Sequence, residues 1–117
     1  MEPAPIKPLI PFAQFEGIDI RAGTIERVSD VPDSNKLVRF DVDFGDHKRT
    51  VLAGMKQERT DLDALVGVQT LFVVNLEPRK MAGQLSEAMF FDLGYADGIA
   101  PALAVPERPV PNGTRAG

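Results

Sequence analysis

From Val38 to Phe44 the chain alternates without a break. Val38, Phe40, Val42 and Phe44 are apolar, and the residues between them, Arg39, Asp41 and Asp43, are charged. Successive side chains leave a strand on opposite sides, so this period predicts a β-strand with one dry face and one wet face. The dry face has to be covered, and a chain of 117 residues has material for one domain and one core. The remaining elements must therefore close around this strand.

Gly45 and Asp46 end the strand in a turn, and "HKRTVLAG" follows as its hairpin partner. Upstream, "IDIRAGTIERV" puts Ile18, Ile20 and Ala22 on one side, then shifts parity after Gly23 to Ile25 and Val28. A glycine at a parity shift predicts a β-bulge and a bent strand. Downstream, Thr60 can cap a helix with Asp61 and Asp63 at its positive end. Leu62, Leu65 and Val66 would form its buried stripe, and Gly67 would stop it. "VQTLFVVNL" reads as a strand buried on both faces, and "SEAMFFDLG" and "IAPALAV" supply the last strands.

This order predicts an all-β fold, a five-stranded β-barrel of the OB type with one short helix between strands 3 and 4. Residues 1–11, with Pro3, Pro5, Pro8 and Pro11, read as a flexible extended arm. The domain proper spans residues 12–117. It opens on a short helical turn carrying Phe12 and Phe15 at i, i+3, and ends in the Pro/Gly-rich extension "PERPVPNGTRAG".

Composition excludes several kinds of chemistry. The formal net charge is −4, so a general basic field for nucleic acid or anionic lipid is missing, and any such contact has to come from a local patch. Without cysteine there is no disulfide, thiolate nucleophile or Cys-based zinc site, and the single histidine, His47, has no evident group to orient it. Asp41 and Asp43 share one polar face with no third ligand, which reads as a solvated face and not a metal site. No enzyme, metal or cofactor is expected. No apolar run approaches the about 20 residues of a membrane span, and Glu2 sits where a signal peptide would be positive, so a cytoplasmic protein is expected.

One stretch stands apart from this frame: "NLEPRKMAGQLSEAM", Asn75 to Met89. Pro78 and Gly83 make it a turn, which would leave Arg79 and Lys80 merely solvated. Alternatively, Asn75 at the rim, two cations of which one is a planar guanidinium, and the Ser86 hydroxyl form a set suited to phosphate and sugar. Arg21, Lys36, Arg39, Lys48 and Arg49 lie on segments that could border that face.

The stretch resembles the signature of the tRNA-binding domain family, Asn-Leu-x-Pro-x-Lys-Met-x-Gly followed by Ser-x-Gly-Met. This domain occurs in C-terminal extensions of methionyl-tRNA synthetases, in free-standing tRNA-binding proteins and in the secretion chaperone CsaA. "DIRAGTI", "PDSNKLVRFDVDFG", "RTVLAGM" and "LDALVG" resemble the family's first three strands and small helix, and the ending is most like the CsaA branch.

The resemblance implies an RNA-facing set of Asn75, Arg79, Lys80, Met81 and Ser86, with Met89 beneath and Arg49 on the third strand. Two positions depart from the pattern: Glu77 stands where many members have a cation, and Ala88 where they have glycine. The expected ligand is tRNA or another structured RNA. The CsaA branch implies an alternative, a preprotein peptide held by Met81, Met89, Phe90 and Phe91. It also implies a homodimer, for which Phe12, Phe15 and Val110 lie outside the barrel and need cover.

Overall fold

In the computed structural model, which describes residues 2–117, β2 (Val38–Asp43) runs antiparallel between β1 (Ile20–Asp30) and β3 (Lys48–Ala53). β4 (Gln69–Val73) pairs with the other edge of β1, and β7 (Met89–Phe90) pairs with β4, giving the sheet order β3-β2-β1-β4-β7. The sheet curls until the residues just before β7 lie along β3. There the Glu87 N–H donates to Thr50 O at 2.9 Å, and the Glu87 carboxylate accepts the Thr50 N–H at 3.0 Å. The architecture is all-β and of the OB type, as the strand order predicted.

The alternation in β2 sets the core. Val38, Phe40, Val42 and Phe44 are all buried and pack with Ile25, Val51, Phe72 and Phe90. Phe90 lies against both Phe40 and Phe72, with ring centroids 4.9 and 4.6 Å apart, and Phe44 meets Phe72 edge-on at 5.4 Å. Such aromatic contacts add about 0.5–1.5 kcal/mol each beyond the area they bury.

The bulge in β1 lies between Ile25 and Arg27 and not at Gly23. Gly23 is on the core face itself: a Cβ there would come within 2.7 Å of Phe44 and Val42 side-chain atoms. The apparent parity shift arises because β1 is buried on both faces at this end, with Ile20 and Ala22 buried opposite the core. The expected helix between β3 and β4 is one turn of 3₁₀ helix, Asp63–Leu65. Leu65 is buried and Leu62 packs on the core, but Val66 is half-exposed. Asp61, not Thr60, meets the free N–H groups, accepting from Ala64 at 3.3 Å.

The C-terminal segment is part of the fold. Beyond the reach of β2, the free edge of β1 pairs with it: Ala22 donates to Thr114 O, and Gly113 and Ala116 donate to the carbonyls of Ala22 and Ile20. The Asn112 carboxamide oxygen accepts from Thr24 Oγ1 at 2.7 Å and from Gln69 Nε2 at 2.9 Å, and Gln69 also exchanges bonds with the Val110 backbone. Gly113 has φ +90°, and a Cβ there would lie 2.4 Å from Phe44 O, so no other residue fits. At the other end, α1 (Phe12–Glu16) buries no residue, and residues 2–11 are exposed. Two short strands, β8 (Asp92–Leu93) and β9 (Ala102–Leu103), form a separate ribbon. Among the described residues, no helix is long and apolar enough to cross a membrane.

Denaturant titration should separate the two faces of β2. Phe40→Ala should cost about 3–5 kcal/mol, as for other buried aromatic truncations. Gly23→Ala should cost about 1–3 kcal/mol by overpacking, whereas Asp41→Ala should stay within about 0.5 kcal/mol.

Candidate nucleic-acid interface

After β4 the chain leaves the barrel and forms a hairpin of β5 (Arg79–Met81) and β6 (Gln84–Ser86), with Arg79 opposite Ser86, Lys80 opposite Leu85 and Met81 opposite Gln84. The turn residues Ala82 and Gly83 have φ of +48° and +79°. Positive φ at both central residues is what a type I′ turn requires, and it matches the strand twist.

Three of the residues implicated by sequence hold the neck of this segment. Arg49 lies on the inner side of β3, opposite Val42. Its Nη1 donates to the carbonyls of both Val74 and Glu87, the residues that enter and leave the hairpin segment. The Asn75 side chain accepts the Asp19 N–H at 2.8 Å and donates to Gly17 O at 2.7 Å, binding the neck to the start of β1. Ser86 is buried, and its hydroxyl accepts the Leu52 N–H at 3.0 Å while donating to Ala88 O at 3.2 Å. Their polar groups are thus engaged within the protein.

Arg79 and Lys80 differ from these. Both are exposed, and among the described residues neither makes a side-chain hydrogen bond or ion pair. They leave opposite faces of β5. Arg79 is on the side of buried Ser86, facing the barrel, and Lys80 is on the side of exposed Leu85. Six of the other eleven lysines and arginines are paired with a carboxylate among the described residues, among them Arg39 with Asp41 at 3.3 Å, Lys48 with Glu26 at 2.9 Å, and Arg21 with Asp19 at 3.0 Å. The bond to Arg21 holds the Asp19 carboxyl below the usual carboxylate range, and the bond to Glu26 raises the Lys48 ammonium. Arg39 also reaches Gln84 Oε1 at 3.4 Å, so the hairpin overhangs the outer face of β1–β3. A shallow groove there brings Arg27, Arg39 and Lys48 together with Glu26, Asp41 and Glu87.

The methionine and phenylalanine set divides. Phe90 is in the core and Phe91 is exposed, as strand neighbours must be. Burial thus keeps Phe90 from any surface ligand. Met81 and Met89 line a cleft of about 200 Å³ at the foot of the hairpin, with Leu52, Leu76 and Ala88 as its other apolar walls and Glu77 and Arg79 at its edge. Phe12 and Phe15 are exposed and face each other at 6.1 Å, while Val110 is half-buried beside Gln69. His47 has the orienting groups that the sequence did not reveal. Nδ1 meets Asp46 Oδ1, Nε2 accepts from Arg49 Nε at 3.0 Å, and the ring stacks on Phe44. The lock of Gln69 on Asn112 and Val110 was likewise unread; the "NG" dipeptide at 112–113 was its one local signal.

A curled antiparallel sheet that carries a tethered hairpin with two free cations defines an OB-type barrel with a local, hairpin-borne cationic rim. The chain belongs to the tRNA-binding domain family: the family model described as "Putative tRNA binding domain" matches residues 20–115. It is 39% identical over 110 residues to a methionine–tRNA ligase of Parabacteroides distasonis, a match covering 94% of this chain and 16% of the relative. The chain therefore spans about a sixth of the length of the curated relatives it matches. Among solved structures it is similar to a MetRS-related protein from Pyrococcus horikoshii, with TM-score 0.85, 28% identity and coverage of 95% of this chain and 100% of that one. It is also similar to the chaperone CsaA from Bacillus anthracis, with TM-score 0.80, 28% identity and coverage of 94% and 100%.

Buried and exposed residues of the hairpin should respond differently to truncation. Ser86→Ala strands the buried Leu52 N–H and should cost about 1–3 kcal/mol in thermal or chemical unfolding. Arg79→Ala should change stability by no more than about 0.5 kcal/mol.

Proposed function

We propose that this chain is a non-catalytic module that binds tRNA or another structured RNA through its backbone. The observation that carries this reading is the pair Arg79 and Lys80, free of acidic partners on a hairpin whose neck is held by Arg49, Asn75 and Ser86. Free cations on an ordered element can replace counterions at phosphates without first breaking an internal ion pair. Because they leave opposite faces of β5, they would meet different phosphates. Met81, Arg49, Asn75 and Ser86 support this contact by shaping and holding the hairpin. The setting expected for such a module is the cytoplasm.

A second reading has one specific observation in its favour. Met81 and Met89 line an apolar cleft, and Phe91 is exposed nearby in sequence. Flexible thioethers suit promiscuous peptide contacts, and one structural neighbour is the chaperone CsaA. On this reading the ligand is an unfolded preprotein segment. Both readings are compatible with a homodimer in which the exposed Phe12 and Phe15, with Val110, are covered by a second copy.

The RNA reading is tested by a salt titration of tRNA affinity. Changing Arg79 and Lys80 together to Ala should weaken binding, leave thermal stability nearly unchanged and reduce the log–log salt slope by roughly 0.7–0.9 per lost contact. Glu77→Lys adds a cation on the same rim and should steepen the slope. Coincident slopes for all three proteins, or no binding at low salt, would reject the reading. For the dimer, light scattering should give about twice the chain mass, falling toward the monomer when Phe12 and Phe15 are both changed to Ser.

A further inference from the structure

The cleft at the foot of the hairpin has no role in a contact made only by phosphates. Its walls are Leu52, Leu76, Met81, Ala88 and Met89, and its volume is about 200 Å³. That is smaller than the roughly 300–1,000 Å³ of sites that take whole small molecules. Leu52 deserves notice in this wall: it lies on the outer face of β3, opposite Arg39, where the other residues are polar. The hairpin covers it, and the cleft opens beside it.

The edge of the cleft carries one charge of each sign. Arg79 is on the barrel-facing side of β5, and Glu77 stands two residues earlier. They are not paired with one another, although both border the same opening. An apolar slot with a free guanidinium and a free carboxylate at its mouth matches one ligand chemistry well. A nucleotide turned out of its helix presents a flat apolar ring, a phosphate on one side, and ring or amino N–H groups at its edge.

We infer that this cleft receives a single unpaired nucleobase of the bound RNA. The thioethers of Met81 and Met89 contact the ring, Arg79 meets that nucleotide's phosphate, and Glu77 accepts from an N–H on the base edge. Sulfur–aromatic contact suits the first, and a carboxylate taking a hydrogen bond from a base amino group suits the last. The inference rests on the RNA reading above and adds what that RNA must contain: a loop or bulge with a base free to leave the stack. Bases offered in this way are the usual route to sequence-sensitive RNA recognition. An apolar peptide side chain would fill the slot but bring no anion to Arg79, whereas a nucleotide carries ring and phosphate in one unit.

Two short RNA hairpins decide it, one fully paired in its stem and one with a single bulged adenosine replaced by the fluorescent 2-aminopurine. Wild type should bind the bulged probe about tenfold more tightly, in line with the worth of one stacked base, and its fluorescence should change on binding. Met89→Ala should lose that preference while keeping its affinity for the paired probe, and Met89→Leu should retain most of it. Arg79→Ala should weaken both probes. Met89 is half-exposed, so folding of its variants is readily checked by thermal unfolding. Equal binding of the two probes by wild type, or equal loss on both in Met89→Ala, overturns the base slot and leaves the phosphate contact standing. Displacement of the bulged probe by an uncharged apolar peptide, with Met89→Ala weakening the peptide alone, assigns the cleft to peptide and also overturns it. Failure of both RNAs to bind at low salt rejects the inference together with the reading beneath it.

Discussion

One guanidinium joins the two ends of the hairpin segment. Arg49 Nη1 donates to Val74 O, where the chain leaves β4, and to Glu87 O, where it returns. Without such a donor those carbonyls would turn toward the end of the barrel with no strand partner, at a cost comparable to lost hydrogen bonds. A lysine could not make the whole set, because its one nitrogen could serve the two carbonyls but would leave His47 without the separate Nε–H that Arg49 provides. That Nε–H goes to His47 Nε2, which must therefore accept, so the ring proton sits on Nδ1 facing Asp46. The ring is also stacked on Phe44. The position of the hairpin is thus referred back, bond by bond, to the core strand whose alternation specifies the fold.

The same economy governs charge. A chain of net charge −4 attracts polyanions only where its cations are free of acids. Arg21, Arg39, Lys48, Lys56, Arg108 and Arg115 each have a carboxylate within 4 Å or less. At a Debye length of about 8–10 Å near physiological salt, the charges of such pairs largely cancel for a ligand outside them. Arg79 and Lys80 lie exposed on the first strand of the overhanging hairpin and have no such partner among the described residues. The acidity of the whole chain and a positive local contact are therefore compatible. The first sets a repulsive background, and the second acts within a few ångströms.

What could be read before folding follows from how local each signal is. Val38 to Phe44 declared its faces because burial there depends on one residue period. Gly23 was misread as a bulge because the burial of Ile20 and Ala22 on the opposite face depends on the far C-terminus, which pairs with that end of β1. The helix before β4 shrank to one turn since Leu62 and Leu65 suffice to cover that part of the core, leaving Val66 half-exposed. For the hairpin, residue identities were legible and their roles were not. Asn75, Ser86 and Arg49 look like ligand contacts in a linear motif, but partners such as Gly17, Asp19, Leu52, Val74 and Glu87 lie up to 58 residues away.

Glu77 and Ala88 stand apart from the signature that the rest of the segment resembles, and the fold brings both to one place. Ala88 belongs to the core cluster, so its methyl group is absorbed by the barrel and meets the outside only as a wall of the cleft under the hairpin. Glu77 borders the same cleft and forms no pair with Arg79. Neither departure touches the neck bonds of Arg49, Asn75 and Ser86, and neither replaces Arg79 or Lys80. A glycine in place of Ala88 would deepen the cleft, and a cation in place of Glu77 would make the charge at its mouth wholly positive. The hairpin and the cleft are one unit in this fold: Arg79 and Met81 of β5 and Ser86 of β6 also line the cleft, so the neck bonds that hold the hairpin hold the cleft walls as well.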